Sequence, residues 1–239
     1  GTEHLHGGNV GFDKRVWTLE SVTDSVLVLK YESPDGEEGY PGNLDVTLRF
    51  ELTDDNELIH EYAAFTDMPT PVNLTHHSYF NLTNGDGTIG DTIVKINASY
   101  TLAQDDTSTV TGELLPVDNT RFDFRNPKRI DTNWNPETGY DQSFVVDKKE
   151  NRADAEAWSE KSGIKLQLFT SEPIVHLYTA KYLSPMKGKD GKSYGPFSGF
   201  CLETQIHPNA INIPGFPDTI LRPGQEYKHK TIYKILIEK

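Results

Sequence analysis

The chain has 239 residues, with 23 Lys and Arg against 36 Asp and Glu and a formal net charge of −13 at pH 7. Such a charge excludes electrostatic attraction to nucleic acid or to an anionic membrane, so the expected partner is neutral or cationic and there is no nucleic acid or membrane partner. Hydrophobic residues make up 35%, and 11 Phe, 11 Tyr and 3 Trp enlarge what can be buried, which excludes a disordered chain.

The first predicted strand covers residues 26–31, rich in β-branched and aromatic side chains. Residues 33–42 read Ser-Pro-Asp-Gly-Glu-Glu-Gly-Tyr-Pro-Gly and predict a long turn-rich loop, the usual place for function on a rigid scaffold. Leu44–Leu52 then alternates without error. Leu44, Val46, Leu48, Phe50 and Leu52 lie on one side and Asp45, Thr47, Arg49 and Glu51 on the other, which predicts a half-buried strand. Thr53-Asp54-Asp55-Asn56 supplies turn chemistry before the run 58–65, so a hairpin follows. Further strands are predicted at 92–96, at 164–168, at 174–179 and at 227–237. Residues 153–158 are short for a helix and lead into Ser159-Glu160-Lys161-Ser162-Gly163, so they are read as a strand feeding a hairpin. A second turn-rich loop spans 187–192. Many short strands without alternating helices predict an all-β antiparallel sandwich or barrel, and no linker divides residues 1–239 into more than one domain.

No apolar run approaches the roughly 18 residues of a membrane span, and Gly1-Thr2-Glu3-His4 is neither basic nor apolar as a signal region would be. The single Cys201 cannot close an internal disulfide, which fits a reducing compartment and makes the cytoplasm the expected location. Three sequons, at Asn73, Asn81 and Asn97, would matter only in a secreted protein, and such short motifs arise readily by chance.

Four clusters combine ionisable groups with glycine or aromatic residues: Leu5-His6-Gly7-Gly8, Thr75 to Leu82 with His76-His77, Gly139-Tyr140-Asp141-Gln142, and Cys201-Leu202-Glu203-Thr204-Gln205. Each alone has a plain reading, a turn histidine for His6 and an outward strand carboxylate for Glu203. In an extended segment His76 and His77 point to opposite faces, so one of them faces a pocket and the other is structural. Glu203 lies among apolar residues, where a carboxylate must be paired, exposed or protonated. A metal site could be drawn from His4, His6, His76-His77 and Asp141, but no zinc-type spacing is present and no metal is expected. No Gly-x-Ser-x-Gly element and no glycine-rich phosphate loop occurs, so acyl transfer and nucleotide cofactors are set aside. What remains is imidazole and carboxylate without a cofactor, suited to proton transfer on a small polar substrate such as a sugar.

These clusters resemble the aldose 1-epimerase, or galactose mutarotase, family. The residues concerned are Leu5-His6-Gly7-Gly8 continuing to Gly11-Phe12-Asp13-Lys14 and Trp17, the 33–42 loop, Asn73 to Leu82, and Phe200 to Gln205 followed by Leu221-Arg222-Pro223-Gly224. They stand in the family's order across essentially the whole chain. The resemblance implies a large, twisted antiparallel β-sandwich with an open sugar cleft and no cofactor. It implies His77 as general acid, Glu203 as general base, and His6, Asp141 and His176 as substrate-binding groups for a hexose such as galactose or glucose. Two positions depart from the family pattern: His76 stands where an Asn usually precedes the acid His, and His176 where a Gln usually touches the sugar. The family also places a substrate-binding Arg in an amino-terminal segment before its Leu-His-Gly-Gly motif, so this chain is expected to be amino-terminally incomplete, with that segment as a further partner.

Two other readings remain. A hexose 6-phosphate relative would need a basic pocket, for which Arg121, Arg125 and Arg129 are the local candidates; the plain reading pairs them with Asp118, Asp123 and Asp131. A sugar-binding protein without turnover would keep the cleft but not accelerate the reaction.

Overall fold

The computed structural model describes residues 3–238. Its first four long strands are β1 (Thr18–Val22), β2 (Val26–Ser33), β3 (Leu44–Leu52) and β4 (Glu57–Thr66), followed by the two-residue β5 (Thr70–Pro71). Then come β6 (Ile93–Ile96), β7 (Ala98–Gln104), β8 (Val110–Pro116), β9 (Lys128–Arg129), β10 (Asp141–Val146), β11 (Ala155–Trp158), β12 (Ile164–Thr170) and β13 (Ile174–Tyr178). The last are β14 (Met186–Lys187), β15 (Ser193–Tyr194), β16 (Cys201–Gln205), β17 (Ile220–Leu221) and β18 (Tyr227–Ile237). Helix is confined, among the described residues, to four three-residue 3-10 turns, so none is long and apolar enough to cross a membrane.

The long strands form two antiparallel sheets, one of nine strands in the order β1-β2-β3-β4-β18-β12-β11-β6-β9 and one of five in the order β16-β13-β10-β7-β8. Their facing sides build the main core. Val94, Ile96, Ala155, Ala157, Leu166, Leu168 and Tyr233 come from the large sheet, and Phe144, Val146, Val175, Leu177 and Leu202 from the small one. Period-two alternation therefore fixes the other face of the small sheet: with Val175 and Leu177 inward, His176 and Tyr178 point away from the core.

The predicted β3–β4 hairpin forms, with Leu52 paired to Leu58 around the 53–56 turn and Asn56 at φ 58° closing it. Leu44, Val46 and Leu48 are buried, but Leu52 at the hairpin tip is 59% exposed, beyond the reach of the core. The strand reading of 153–158 holds for β11, where Ala155 and Ala157 sit between β6 and β12 without exposure. The 187–192 loop is the connection of a small β14–β15 hairpin. Residues 72–79 are extended but join no sheet; a single bridge, Phe80 to Phe200, ties their end to the small sheet. Side chains satisfy part of their backbone instead. Tyr227 Oη accepts from the Leu74 N–H, the Tyr62 hydroxyl donates to the Thr75 carbonyl, and Asn73 exchanges bonds with Ile206. The side-chain amides of Asn81 and Asn97 likewise donate internally, to Ser198 and Ala153, so all three sequon asparagines serve the fold.

Candidate active site

The site lies on the outer face of the five-stranded sheet, and strand register builds it. Glu203 of β16 is the direct partner of His176 on β13, and His176 in turn of Ser143 on β10. One row along, Cys201, Tyr178 and Asp141 are likewise partners. Two rows of three side chains thus project from one surface. The extended segment 72–79 crosses above them and lowers His77 onto the first strand: its Nε2 stands 3.5 Å from Glu203 Oε1 and its Nδ1 3.4 Å from Cys201 Sγ. Tyr79 stacks on the His77 ring at 5.1 Å, while Tyr178 meets it edge-on at 6.1 Å.

His6 reaches the same place from the chain's beginning. Its ring lies 5.6 Å from that of His77, held by a tight turn in which His6 itself takes φ 56° and Gly7 and Gly8 follow with φ 78° and 98°. Gly11 lets this turn close, because a Cβ there would fall 2.0 Å from the His6 carbonyl oxygen. The 33–42 loop anchors the turn: Glu38 accepts from the backbone N–H groups of Asn9 and Val10. That loop thus acts as a support for His6.

Asp141 is set by the turn before β10. Arg121 donates to the Gly139 carbonyl and lies over the Phe122 and Tyr140 rings, and Thr179 Oγ1 accepts from the Tyr140 N–H. The Asp141 carboxylate, 47% exposed, accepts from His176 Nε2 at 2.9 Å, and His176 Nδ1 meets Ser143 Oγ at 2.9 Å. The five residues singled out in the sequence therefore form one continuous constellation, running His6, His77, Glu203, His176, Asp141.

The electrostatics follow from burial and neighbours. Burial works to lower the His176 pKa, but the Asp141 hydrogen bond and the charges of Glu203 and Asp141 outweigh it, and the net shift is upward. Glu203, 8% exposed, thus has imidazoles on two sides to offset its desolvation. Burial, with the Glu203 charge adding, drives the Cys201 thiol far up, so it stays protonated and can donate to His77 Nδ1. A neutral His77 then carries its proton on Nε2, the nitrogen facing Glu203.

His76 turns the other way, as the alternation requires. Its ring packs on His60 at 4.0 Å and on Phe50, inside the sandwich, where burial and the His77 charge lower its pKa to about 4. The metal set drawn from His4, His6, His76, His77 and Asp141 is not assembled, since His76 faces the core and His4 packs on Tyr40. Among the described residues, one group has ligand atoms close enough to share an ion: His77, Cys201 and Glu203, within 4.8 Å of one another. It coincides with the imidazole–carboxylate pair, and a thiol held protonated is a poor ligand. Of the basic residues considered for a phosphate, Arg125 pairs with Asp118 and Asp123 and Arg129 with Asp131, as the plain reading expects, while Arg121 has no acidic partner among the described residues and braces the Gly139 turn.

No local pattern in the sequence marks Ser143, Tyr79 or Tyr178 for a role, and Cys201 stands out there only as the lone cysteine and as a member of a cluster. The available signal was positional: Cys201 and Tyr178 stand two residues from Glu203 and His176, the spacing that shares a strand face.

The aldose 1-epimerase family model matches residues 1–234. Mouse galactose mutarotase is 43% identical over 238 residues, covering 98% of this chain and 69% of its own length. Aldose 1-epimerase of Escherichia coli K12 is 34% identical, covering the whole of this chain and 72% of the relative. The crystal structure of an aldose epimerase homologue from C. elegans superposes with a TM-score of 0.93 at 33% identity, over 99% of this chain and 73% of that one. The twisted antiparallel all-β architecture expected from the sequence is thus that of its structural relatives, and the chain belongs to the aldose 1-epimerase family of isomerases.

Proposed function

We propose that this chain interconverts the α and β anomers of hexoses such as galactose and glucose, with His77 and Glu203 as the acid–base pair and His6, Asp141 and His176 around the sugar. The observation that supports this most directly is the 3.5 Å approach of His77 Nε2 to Glu203 Oε1 on an open sheet face. The reaction moves protons at two oxygens bonded to one carbon, the anomeric hydroxyl and the ring oxygen, so acid and base must stand close together.

Glu203 takes the proton of the C1 hydroxyl while His77 Nε2 gives one to the ring oxygen. The C1–O5 bond breaks as the C1 carbonyl forms, leaving the open-chain aldehyde and a C5 hydroxyl. Rotation about C1–C2 presents the other face of the aldehyde, and the reverse transfers close the ring as the second anomer. Positioned acid–base groups of this kind contribute about 10²–10⁴-fold each. Asp141, as an acceptor with one oxygen free of His176, suits sugar hydroxyls. Polarimetry of freshly dissolved α-D-galactose tests the proposal: the chain should accelerate the loss of optical rotation, and Glu203→Gln should not. Galactose binding without acceleration would make the chain a sugar-binding relative.

A further inference from the structure

Both ring nitrogens of His176 are occupied. Nε2 lies 2.9 Å from Asp141 Oδ1 and Nδ1 lies 2.9 Å from Ser143 Oγ, leaving the imidazole no free polar atom for a sugar. The ionised Asp141 carboxylate can only accept, so Nε2 carries a proton. In the neutral ring Nδ1 is then an acceptor and the Ser143 hydroxyl donates to it; in the imidazolium Nδ1–H donates to the same oxygen, which rotates to accept. A hydroxyl at position 143 satisfies both states, and a methyl group satisfies neither. Ser143 is 1% exposed, and a hydroxyl buried on that scale requires such a partner.

We propose that Ser143 is a positioning residue: by meeting Nδ1 in either protonation state it holds the His176 ring in the orientation whose Nε2–H grips one oxygen of Asp141, leaving the other oxygen for the sugar. His176 thereby acts through Asp141 and not by touching the substrate. The inference rests on the proposed hexose reaction for its kinetic consequence, and on hydrogen-bond geometry alone for the ring's orientation. The groups facing His176 from the neighbouring strands are Asp141 and Ser143 on β10 and Glu203 on β16, with Tyr178 beside it on β13. The two carboxylates favour the imidazolium, the state in which Ser143 becomes the acceptor, so the serine keeps the grip on Asp141 intact as the ring titrates.

The test combines nitrogen NMR of the histidine rings with polarimetric kinetics on α-D-galactose, for the full chain and for Ser143→Ala and Ser143→Thr. The unmodified chain should show His176 protonated at Nε2 throughout. Ser143→Ala, which leaves Nδ1 without a partner, should loosen the ring, speed solvent exchange of that Nε2 proton and raise KM three- to tenfold with kcat within twofold, and Ser143→Thr should restore both. An unchanged exchange rate in Ser143→Ala, or a KM effect that threonine fails to rescue, would overturn the proposal. If Ser143→Ala does not fold, Ser143→Cys, whose thiol is a weak donor and acceptor, should show the same faster exchange, and an unaltered rate there would overturn it equally. Should the unmodified chain not accelerate mutarotation, the hexose reading fails, while the exchange measurement still decides whether Ser143 holds His176.

Discussion

His176 and Glu203 are direct cross-strand partners on β13 and β16, so an imidazole and a carboxylate share one row of the outer sheet face. His77, arriving on a segment outside the sheet, closes on the same carboxylate at 3.5 Å. Glu203 is thus the hinge of the site: one histidine comes with the sheet, the other is brought to it from above.

Glu203→Gln keeps shape and volume but removes the group that accepts the C1 hydroxyl proton. The expected result is a fall in kcat of at least about 10²–10⁴-fold with an unchanged melting temperature, since an amide is less costly to bury than a carboxylate. Polarimetry and thermal unfolding measured side by side check it. Near-normal turnover would remove Glu203 from the role of base.

The raised pKa of His176 has a defined sign for stability. The folded chain holds this proton more tightly than the unfolded one, whose histidine titrates near its ordinary 6.5. The contribution is therefore fully present below that pH and is lost as pH rises through the elevated folded value, at up to about 1.4 kcal/mol per pH unit for one proton. His176→Gln should flatten the decline of denaturation midpoint above pH 6.5, and an unaltered slope would mean the imidazolium is not favoured in the fold.

The sequence made the regular elements legible wherever alternation was strong: β3 and β18 begin and end where their patterns predict. β10 was not seen, because Asp-Gln-Ser at its start reads as loop although Gln142 and Ser143 are buried. The 72–79 segment could not be placed either. Its Leu74 backbone is held by side chains far along the chain, with Tyr227 lying 153 residues from the N–H whose bond it accepts. The resemblance named all five site residues, yet their meeting depends on the β10–β13–β16 register, a pairing of distant strands that no local pattern encodes. Hence Ser143, one position opposite His176, carried no mark in the sequence.

A second pH dependence runs the opposite way. His60, His76 and His229 lie inside the sandwich with pKa values lowered to about 3, 4 and 4, by burial first and by neighbouring charges second. Below pH 6.5 the unfolded chain takes up protons that the folded core refuses, so stability should fall steeply from pH 6.5 towards 4 and level off beneath those values. Neither His60 nitrogen has a hydrogen-bond partner among the described residues. His60→Leu, which removes both the unpaired nitrogens and a titrating group, should raise the urea midpoint more at pH 5 than at pH 8. An equal gain at both pH values would show that His60 titrates normally.

Gly139 is required twice over, by conformation and by space. Its φ of 64° is left-handed, and a Cβ would sit 2.2 Å from Thr179 Oγ1 and 2.8 Å from a Phe197 ring carbon. That hydroxyl accepts from the Tyr140 N–H and donates to the Tyr140 carbonyl, so it cannot retreat without freeing the start of β10 and Asp141 with it. Gly139→Ala should cost about 2–5 kcal/mol, combining left-handed strain with overpacking, and should raise KM for galactose by displacing Asp141. Gly87→Ala isolates the first contribution: φ is 70° there and nothing lies within 4 Å of the added carbon, so about 1 kcal/mol is expected. Equal losses from the two substitutions in urea denaturation would show that the Thr179 contact yields freely, and KM at position 139 should then remain that of the unaltered chain.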